Sequence, residues 1–286
     1  MSKLKDQVKG FVDFEKIKEK LPHSFDVIGH VAIIEIPEKY KKDKKLIAKA
    51  IMQLNHHIKT VLEKASERKG IYRIRKYKWI AGRRKTETLH KEYGSVFKLD
   101  PKKVYFSPRE LTERQRIASQ VKPGETVMVM FAGVAPYAIQ IAKKQPKVNK
   151  VIAIEINPDA VKYAKENVKI NKVEDKVIVV EGDVREKCSN WFNKCDRIVM
   201  PLPLGSENFL DLAVKCLKNS KGIIHFYNWG KEPNIFEHAK KIVKEEMKKM
   251  KVKYEILAER KVLPYAPRKW KVCLDIKVKG RKRNDS

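Results

Sequence analysis

Residues 126–136 read TVMVMFAGVAP, an apolar run that ends in small residues, one glycine and a proline. Residues 126–131 have the length and composition of a buried strand. The small residues after it allow backbone to approach a ligand closely before a helix begins. The same alternation continues toward the C-terminus. Strand candidates recur at residues 151–156, 177–180, 197–200, 222–226 and 270–278, and helical stretches at 136–144, 158–171, 207–218 and 233–250 separate them. Such an order implies right-handed β-α-β crossovers and an α/β fold of Rossmann-like type, a mostly parallel sheet covered on both faces.

Upstream the pattern changes, and a boundary falls near Pro101. Residues 1–100 read as a smaller α+β domain and residues 101–286 as the α/β domain. HVAIIEI at 30–36 is strand-like, and residues 44–64 carry apolar side chains at helical spacing. Residues 68–85, RKGIYRIRKYKWIAGRRK, hold nine basic residues, no acid, and Tyr72, Tyr77 and Trp79. Their alternation predicts a strand with one basic face, suited to phosphates and unstacked bases. SVFKLDP at 95–101 is a further short strand. The basic tail over residues 277–283 is the one biased tract.

Charge narrows the partner. Sixty-five Lys and Arg face 35 Asp and Glu, a formal net charge of +30. A heat-adapted proteome raises lysine and glutamate together; here the basic residues alone are in excess, which points to a polyanion such as nucleic acid. No apolar run is long enough to cross a bilayer, and residues 1–20 lack the apolar centre of a signal peptide. Cys188, Cys195, Cys216 and Cys273 show no C-x-x-C spacing. They read as reduced thiols of a cytoplasmic protein, with no metal site expected.

Three consecutive strand ends carry cofactor chemistry, because ligands of such sheets sit at the carboxyl ends of strands. The first ends in Phe131, Ala132 and Gly133, the second in Glu155 and Ile156, and the third is followed by Asp183 and Val184. A carboxylate at Glu155 can accept both ribose hydroxyls, and Asp183 can accept from an adenine amino group or cap a helix. The glycine fingerprint that cradles a pyrophosphate is missing, so an adenosine cofactor without phosphates, S-adenosyl-L-methionine, fits better than a dinucleotide.

YFSPRELTERQRIA (105–118), MFAGVAPYAIQIA (130–142), VIAIEINPDAVKYAKENV (151–168), VMPLP (199–203) with FLDLAVKCLK (209–218), and YAPRKWKVCLDIKV (265–278) resemble the archaeal and eukaryotic tRNA guanine-37 N1-methyltransferases. HKEYGSVFKLD at 90–100 fits as well, so the resemblance runs from about residue 70 to the C-terminus. It implies a class I methyltransferase domain behind a small RNA-positioning domain, acting on the anticodon arm of tRNA as a monomer. It also implies roles. Glu113 of the S-P-R-x-x-x-E-R segment becomes the general base, and Arg114 meets the methionine carboxylate of the cofactor. Glu155 and Ile156 hold ribose and adenine, and Asp183 and Val184 flank the adenine. Tyr105, Pro201, Leu202 and Pro203 line the guanine pocket, and Arg73 reaches the target base. Without the resemblance, Glu113 reads as a surface glutamate paired with Arg109 or Arg116.

The chain departs from the commoner family pattern at Val129, Ala135 and Pro201, where many members carry aspartate, glycine and asparagine. These changes resemble an archaeal subgroup that also methylates C7 of the wyosine precursor 4-demethylwyosine. Set beside longer members, the sequence is expected to lack their extra N-terminal domain. Two alternatives remain at this point, an aminocarboxypropyl transferase using the same cofactor and a non-catalytic tRNA-binding protein. A methyltransferase for exocyclic amino groups is expected to show N-P-P-[YF] after the fourth strand, and MPLP stands there instead.

Overall fold

The structure, a computed structural model, describes Lys20, residues 24–68 and residues 70–281, the Arg281 side chain excepted. Lys69, the charged start over residues 1–19, and Lys282 and Arg283 of the basic tail lie outside the described residues. The chain divides into two compact units, Met1–Pro108 and Arg109–Ser286.

In the first unit, strands β1 (Asp26–Ile28), β2 (Val31–Ile34), β3 (Thr60–Lys64) and β4 (Tyr77–Gly82) form one sheet in that order. Helix α1 (Lys44–Leu54) buries Ile47, Ala48, Ala50 and Ile51 against Ile34, Val61 and Ile80. A hairpin of β5 (Thr88–Glu92) and β6 (Ser95–Leu99) follows.

Two sequence expectations are corrected here. The helix expected over 44–64 stops at Leu54, where the Asn55 side chain donates to the Ile51 carbonyl at 3.1 Å. Thr60, Val61 and Leu62 instead extend beside β2 in parallel register. Their β-branched content favours a strand, and a helical period in the sequence cannot reveal where the chain breaks. The basic strand expected over 68–85 is confined to β4, whose only basic residue is Lys78; among the other described basic residues, Arg73 lies in a turn and Arg68, Arg75, Lys76, Arg83, Arg84 and Lys85 lie outside regular elements. Arg73 takes a left-handed φ of 52° in that turn.

The second unit carries the seven-stranded sheet. Helix α2 (Leu111–Gln120) leads into β7 (Thr126–Met130), α3 (Pro136–Lys144), β8 (Lys150–Glu155), α4 (Pro158–Ile170) and β9 (Val177–Glu181). Helix α5 (Val184–Lys187), β10 (Arg197–Met200), α6 (Leu210–Cys216), β11 (Lys221–Lys231) and α7 (Glu237–Lys249) come next, then β12 (Val252–Ala266) and β13 (Lys269–Arg281). The spatial order is β12-β13-β11-β10-β7-β8-β9. From β11 to β9 every neighbour is parallel, while β13 runs antiparallel to both β11 and β12. The chain leaves β7 toward β8 and returns to its other side at β10, so the switch point lies between the carboxyl ends of β7 and β10.

Strand β7 is fully buried, with Val127, Met128, Val129 and Met130 at 0% exposure. Each such side chain stabilises by at most ~1.5–3 kcal/mol. Val129 is therefore a core residue beside β10, and an aspartate at that depth would need a partner to offset its desolvation. Ala135 caps α3 with a left-handed φ of 65°, a conformation glycine adopts more cheaply by about 1–2 kcal/mol. The helix expected over 207–218 is α6 preceded by a 3-10 turn, and the one expected over 233–250 begins only at Glu237. Strand β12 was not expected from the sequence. Among the described residues no helix is long and apolar enough to cross a membrane.

Candidate active site

Three loops close the carboxyl ends of β7, β8 and β9 and hold one another. Ala132 N donates to Ile154 O at 2.9 Å, and Gly182 N donates to Glu155 O at 2.9 Å. Asn167 of α4 donates to the Val134 carbonyl at 3.2 Å, pinning the first loop from below. Phe131 and Gly133 both adopt left-handed backbone, each at φ 57°, which turns the chain sharply after the strand. Glu155 sits at the centre. Its Oε2 accepts from Gly133 N at 2.7 Å and its Oε1 from Asn157 N at 2.8 Å. Burial pushes this carboxyl above its ordinary pKa, and the amides of Asn157, Gly133 and Ile156 pull the other way. A carboxylate offers about four acceptor positions, so capacity is left for a hydroxyl of a bound ribose.

The other predicted cofactor residues share this edge. Ile156 is half-buried beside Glu155, and Val184 is buried under the third loop. Asp183 caps α5, accepting from Arg185 N at 2.8 Å, and its second oxygen pairs with the Arg185 guanidinium at 3.1 Å. The Phe131 ring meets Phe209 edge-on at 4.9 Å, so it packs toward the segment after β10. Pro201 and Leu202 are half-buried and Pro203 buried in that segment, whose Ser206 hydroxyl donates to Tyr227 O at 3.0 Å. Arg114 is among the most deeply buried side chains, at 2% exposure. Arg73 and Tyr105 belong to the first unit, where the Arg68 guanidinium lies 4.2 Å from the centre of the Tyr105 ring.

Glu113 is paired with Arg116 but is no surface glutamate, since it is only 4% exposed. Arg116 Nε donates to Oε2 and Nη2 to Oε1, both at 2.8 Å, and the Tyr227 hydroxyl donates to Oε1 at 2.6 Å. Tyr227 stands one residue past Phe226, the register partner of the last residue of β10, so this contact lies at the carboxyl edge of the sheet. The Tyr137 hydroxyl, in the first turn of α3, is 3.5 Å from that of Tyr227. Burial holds both phenols well above their ordinary pKa.

Behind Glu113 runs a chain of buried polar groups that sequence reading missed. Arg116 donates to Asp275 at 2.6 and 3.1 Å, Asp275 Oδ1 lies 2.7 Å from His225 Nδ1, and His225 Nε2 lies 2.8 Å from Arg197 Nη1. Arg197 ends the chain in a fork with Glu125 at 2.7 and 3.0 Å. Because arginine can only donate, His225 accepts at Nε2 and carries its proton on Nδ1. Burial opposes the charge on Asp275, but His225 and Arg116 outweigh it and hold the carboxyl far below its usual range. Burial lowers the His225 pKa, against the pull of Asp275 and helped by Arg197 and Arg116. Lys271 and Glu110 form a second buried pair at 2.8 Å. His225, Cys273 and Asp275 bring ligand atoms within 4.8 Å of one another; two guanidiniums flank that set, which suits an ion-pair chain better than a cation. All four cysteines are buried and free.

The first unit has its own basic cleft, a cavity of about 920 Å³ lined by His30, His57, Arg83, Lys85, Lys91 and Lys98, among others.

Comparison with known proteins divides the chain near residue 87, ahead of the boundary between the two units. A model of the TRM5/TYW2 methyltransferase domain matches residues 88–257, and a model of the TYW2 N-terminal domain matches residues 4–86. The chain is 43% identical to tRNA (guanine(37)-N(1))-methyltransferase Trm5b of Pyrococcus abyssi, over 92% of this chain and 77% of that protein. It is 34% identical to a tRNA(Phe) (4-demethylwyosine(37)-C(7)) aminocarboxypropyltransferase of Pyrococcus horikoshii, over 92% of each. It is 31% identical to tRNA 4-demethylwyosine(37)-methyltransferase Taw21 of Saccharolobus solfataricus, over 96% of this chain and 100% of that one. Among solved structures, the complex of aTrm5 and tRNALeu superposes with a TM-score of 0.80 at 37% identity, covering 92% of this chain and 74% of that one.

Proposed function

The chain belongs to the TRM5/TYW2 methyltransferase family, and from that membership we propose that it is a tRNA (guanine-37-N1)-methyltransferase using S-adenosyl-L-methionine. The observation that carries this reading is the 43% identity to an enzyme of that name along nearly the whole chain. The geometry adds two supports, a three-loop cradle around the buried carboxylate of Glu155 and a second buried carboxylate, Glu113, at the same sheet edge.

The residues fit the cofactor. Glu155 holds the ribose hydroxyls, Ile156 and Val184 cover the adenine, Asp183 receives its amino group, and Arg114 takes the methionine carboxylate. Phe131, Ala132 and Gly133 supply the turn that lets backbone close on it. When bound, the cofactor supplies an electrophilic methyl group on a sulfonium.

Guanine N1 carries a proton at neutral pH and is a poor nucleophile until that proton leaves. Glu113 is the acceptor in this reading. Oε1 is taken by Tyr227 and Arg116, whereas Oε2 accepts from Arg116 Nε and keeps capacity for the N1 proton. Once Glu113 is neutral, Arg116 still has Asp275 as its counter-ion, so proton uptake strands no buried charge. Pro201, Leu202 and Pro203, on the segment after β10, contact the guanine in this reading. The tRNA is held through its anticodon arm by a monomer in the cytoplasm.

A second acceptor, C7 of 4-demethylwyosine at the same position, is favoured by the end-to-end match to the Taw21 protein. Unmodified transcripts test the first reaction, and the second requires tRNA that already carries 4-demethylwyosine at position 37. The protein is incubated with methyl-labelled cofactor and transcripts carrying guanosine or adenosine at position 37. Label in the guanosine transcript alone supports the proposal; equal labelling of both, or of neither, removes it.

A further inference from the structure

YAPRKWKVCLDIKV is part of the family resemblance, yet only its C-terminal half, through Lys271, Cys273 and Asp275, enters the buried network. Its first half forms the tip between β12 and β13. Strand β11 continues past the end of β10 to Lys231, and β13 accompanies it there, pairing Trp229 with Lys271 and Lys231 with Lys269. The three strands therefore rise beyond the carboxyl edge of the sheet on the side of the 201–206 segment.

Alternation along β11 puts Trp229 on the same face as Tyr227, the residue that touches Glu113. There its ring meets Tyr265, with centroids 4.3 Å apart and planes 41° from parallel. Tyr265 is 52% exposed, so one face of this aromatic pair is open to a ligand. Arg260 to Lys271 contains five basic residues and no acid. Lys271 is committed to Glu110, and Lys261 lies 3.5 Å over the Trp270 ring. Arg268 and Lys269, like Lys231 opposite, are exposed around the aromatic pair.

We propose that Trp229 and Tyr265 form a stacking platform for a nucleotide neighbouring the target guanine, with Arg268 and Lys269 on its phosphates. The inference rests on the methyltransferase reading above and deepens it. An enzyme that works on a base edge has to draw that base out of its stack, which strips the neighbouring base of a stacking partner. An open aromatic face two residues along the strand from Tyr227 replaces what is lost, and stacking on aromatics tolerates any base.

The test uses the whole protein and tRNA transcripts with 2-aminopurine on the 5′ or the 3′ side of guanine 37. In wild type, one of the two probes is expected to stay quenched in the complex while the other brightens. Tyr265→Leu should brighten that probe and weaken tRNA binding roughly five- to hundred-fold, with cofactor affinity and the salt slope unchanged; Tyr265→Phe, which keeps the ring, should behave as wild type. Arg268→Ser with Lys269→Ser should instead reduce the salt slope. Wild-type tRNA affinity and probe signals in Tyr265→Leu would overturn the platform and leave the surface to a protein partner. If Tyr265→Leu loses stability, Trp229→Leu, which removes the other ring, serves as the second variant, and an unchanged probe signal in it with a lost salt slope in the basic pair also overturns stacking. Methylation by wild type, run alongside, separates the two readings: its absence counts against the enzyme proposal, while the probe responses report on the platform.

Discussion

Replacing Glu113 by glutamine separates its chemical role from its structural one. The carboxylate receives three bonds, two from Arg116 at 2.8 Å and one from Tyr227 at 2.6 Å. Glutamine keeps one acceptor but turns an amide N–H toward Arg116. Hydrogen bonds to a charged group contribute ~1.5–3 kcal/mol. The larger cost of ~3–5 kcal/mol for an orphaned buried charge does not apply, because Arg116 retains both contacts to Asp275. A loss of ~1.5–3 kcal/mol lowers the midpoint of a unit this size by about 3–12 °C. The chemical step should fall far more, by ~10²–10⁴-fold, if Glu113 takes the N1 proton. Single-turnover methyl transfer well below the midpoint, with cofactor and tRNA saturating, resolves the two. Tyr227→Phe is the control, removing a donor to the carboxylate at ~1.5–3 kcal/mol while leaving the base, so its rate should exceed that of the glutamine variant. Rising pH should restore the glutamine variant in part, as the N1 proton leaves unaided. A glutamine variant that is destabilised yet reacts at the wild-type rate at neutral pH would refute the general-base assignment.

Glu155→Ala should weaken cofactor binding by at least tenfold in calorimetry, since a charge-assisted acceptor at the ribose is lost; unchanged affinity would take Glu155 out of the site. Arg83→Ser with Lys85→Ser, in the cleft of the first unit, should lower the slope of log affinity for tRNA against log salt by about 0.7–0.9 per lost phosphate contact, leaving cofactor affinity as it was. Stability should fall with pH in two stages. His225 stays neutral in the fold while the unfolded chain protonates below about 6.5, so its contribution is complete above that pH and is lost as pH falls. Asp275, held far below its ordinary value, adds a second loss below about 3.9. Urea denaturation of wild type and His225→Gln checks this, because the first stage should shrink in the variant to what His30, also lowered by burial, contributes.

The parallel core was legible because strands such as TVMVM and VIAIE are continuous apolar runs, and a sheet covered by helices on both faces demands such runs. Glu155 was legible for the same reason, as the acid that ends one of them. Strand β12 was not, because VKYEILAERKVLPYA is half-exposed along its length and bulged at four places, which erases the two-residue alternation. The helix over 44–64 was overextended because Val61 and Leu62 fall by chance on the α1 period. The network behind Glu113 joins residues 159 positions apart, and no local pattern encodes such a partner. A signal was present nonetheless. Asp275 and His225 each stand alone among apolar neighbours in a strand, and a buried charge or imidazole needs a partner. The sequence also could not tell a surface Glu113–Arg116 pair from a buried one, since i,i+3 spacing serves both.

The most direct measurement is the mass of the nucleoside at position 37 after the protein has acted on unmodified tRNA with S-adenosyl-L-methionine. A gain of one methyl group, with the product co-migrating with N1-methylguanosine, is the predicted result. Transfer of the aminocarboxypropyl group instead, or a methyl group on another atom of guanosine, would contradict it.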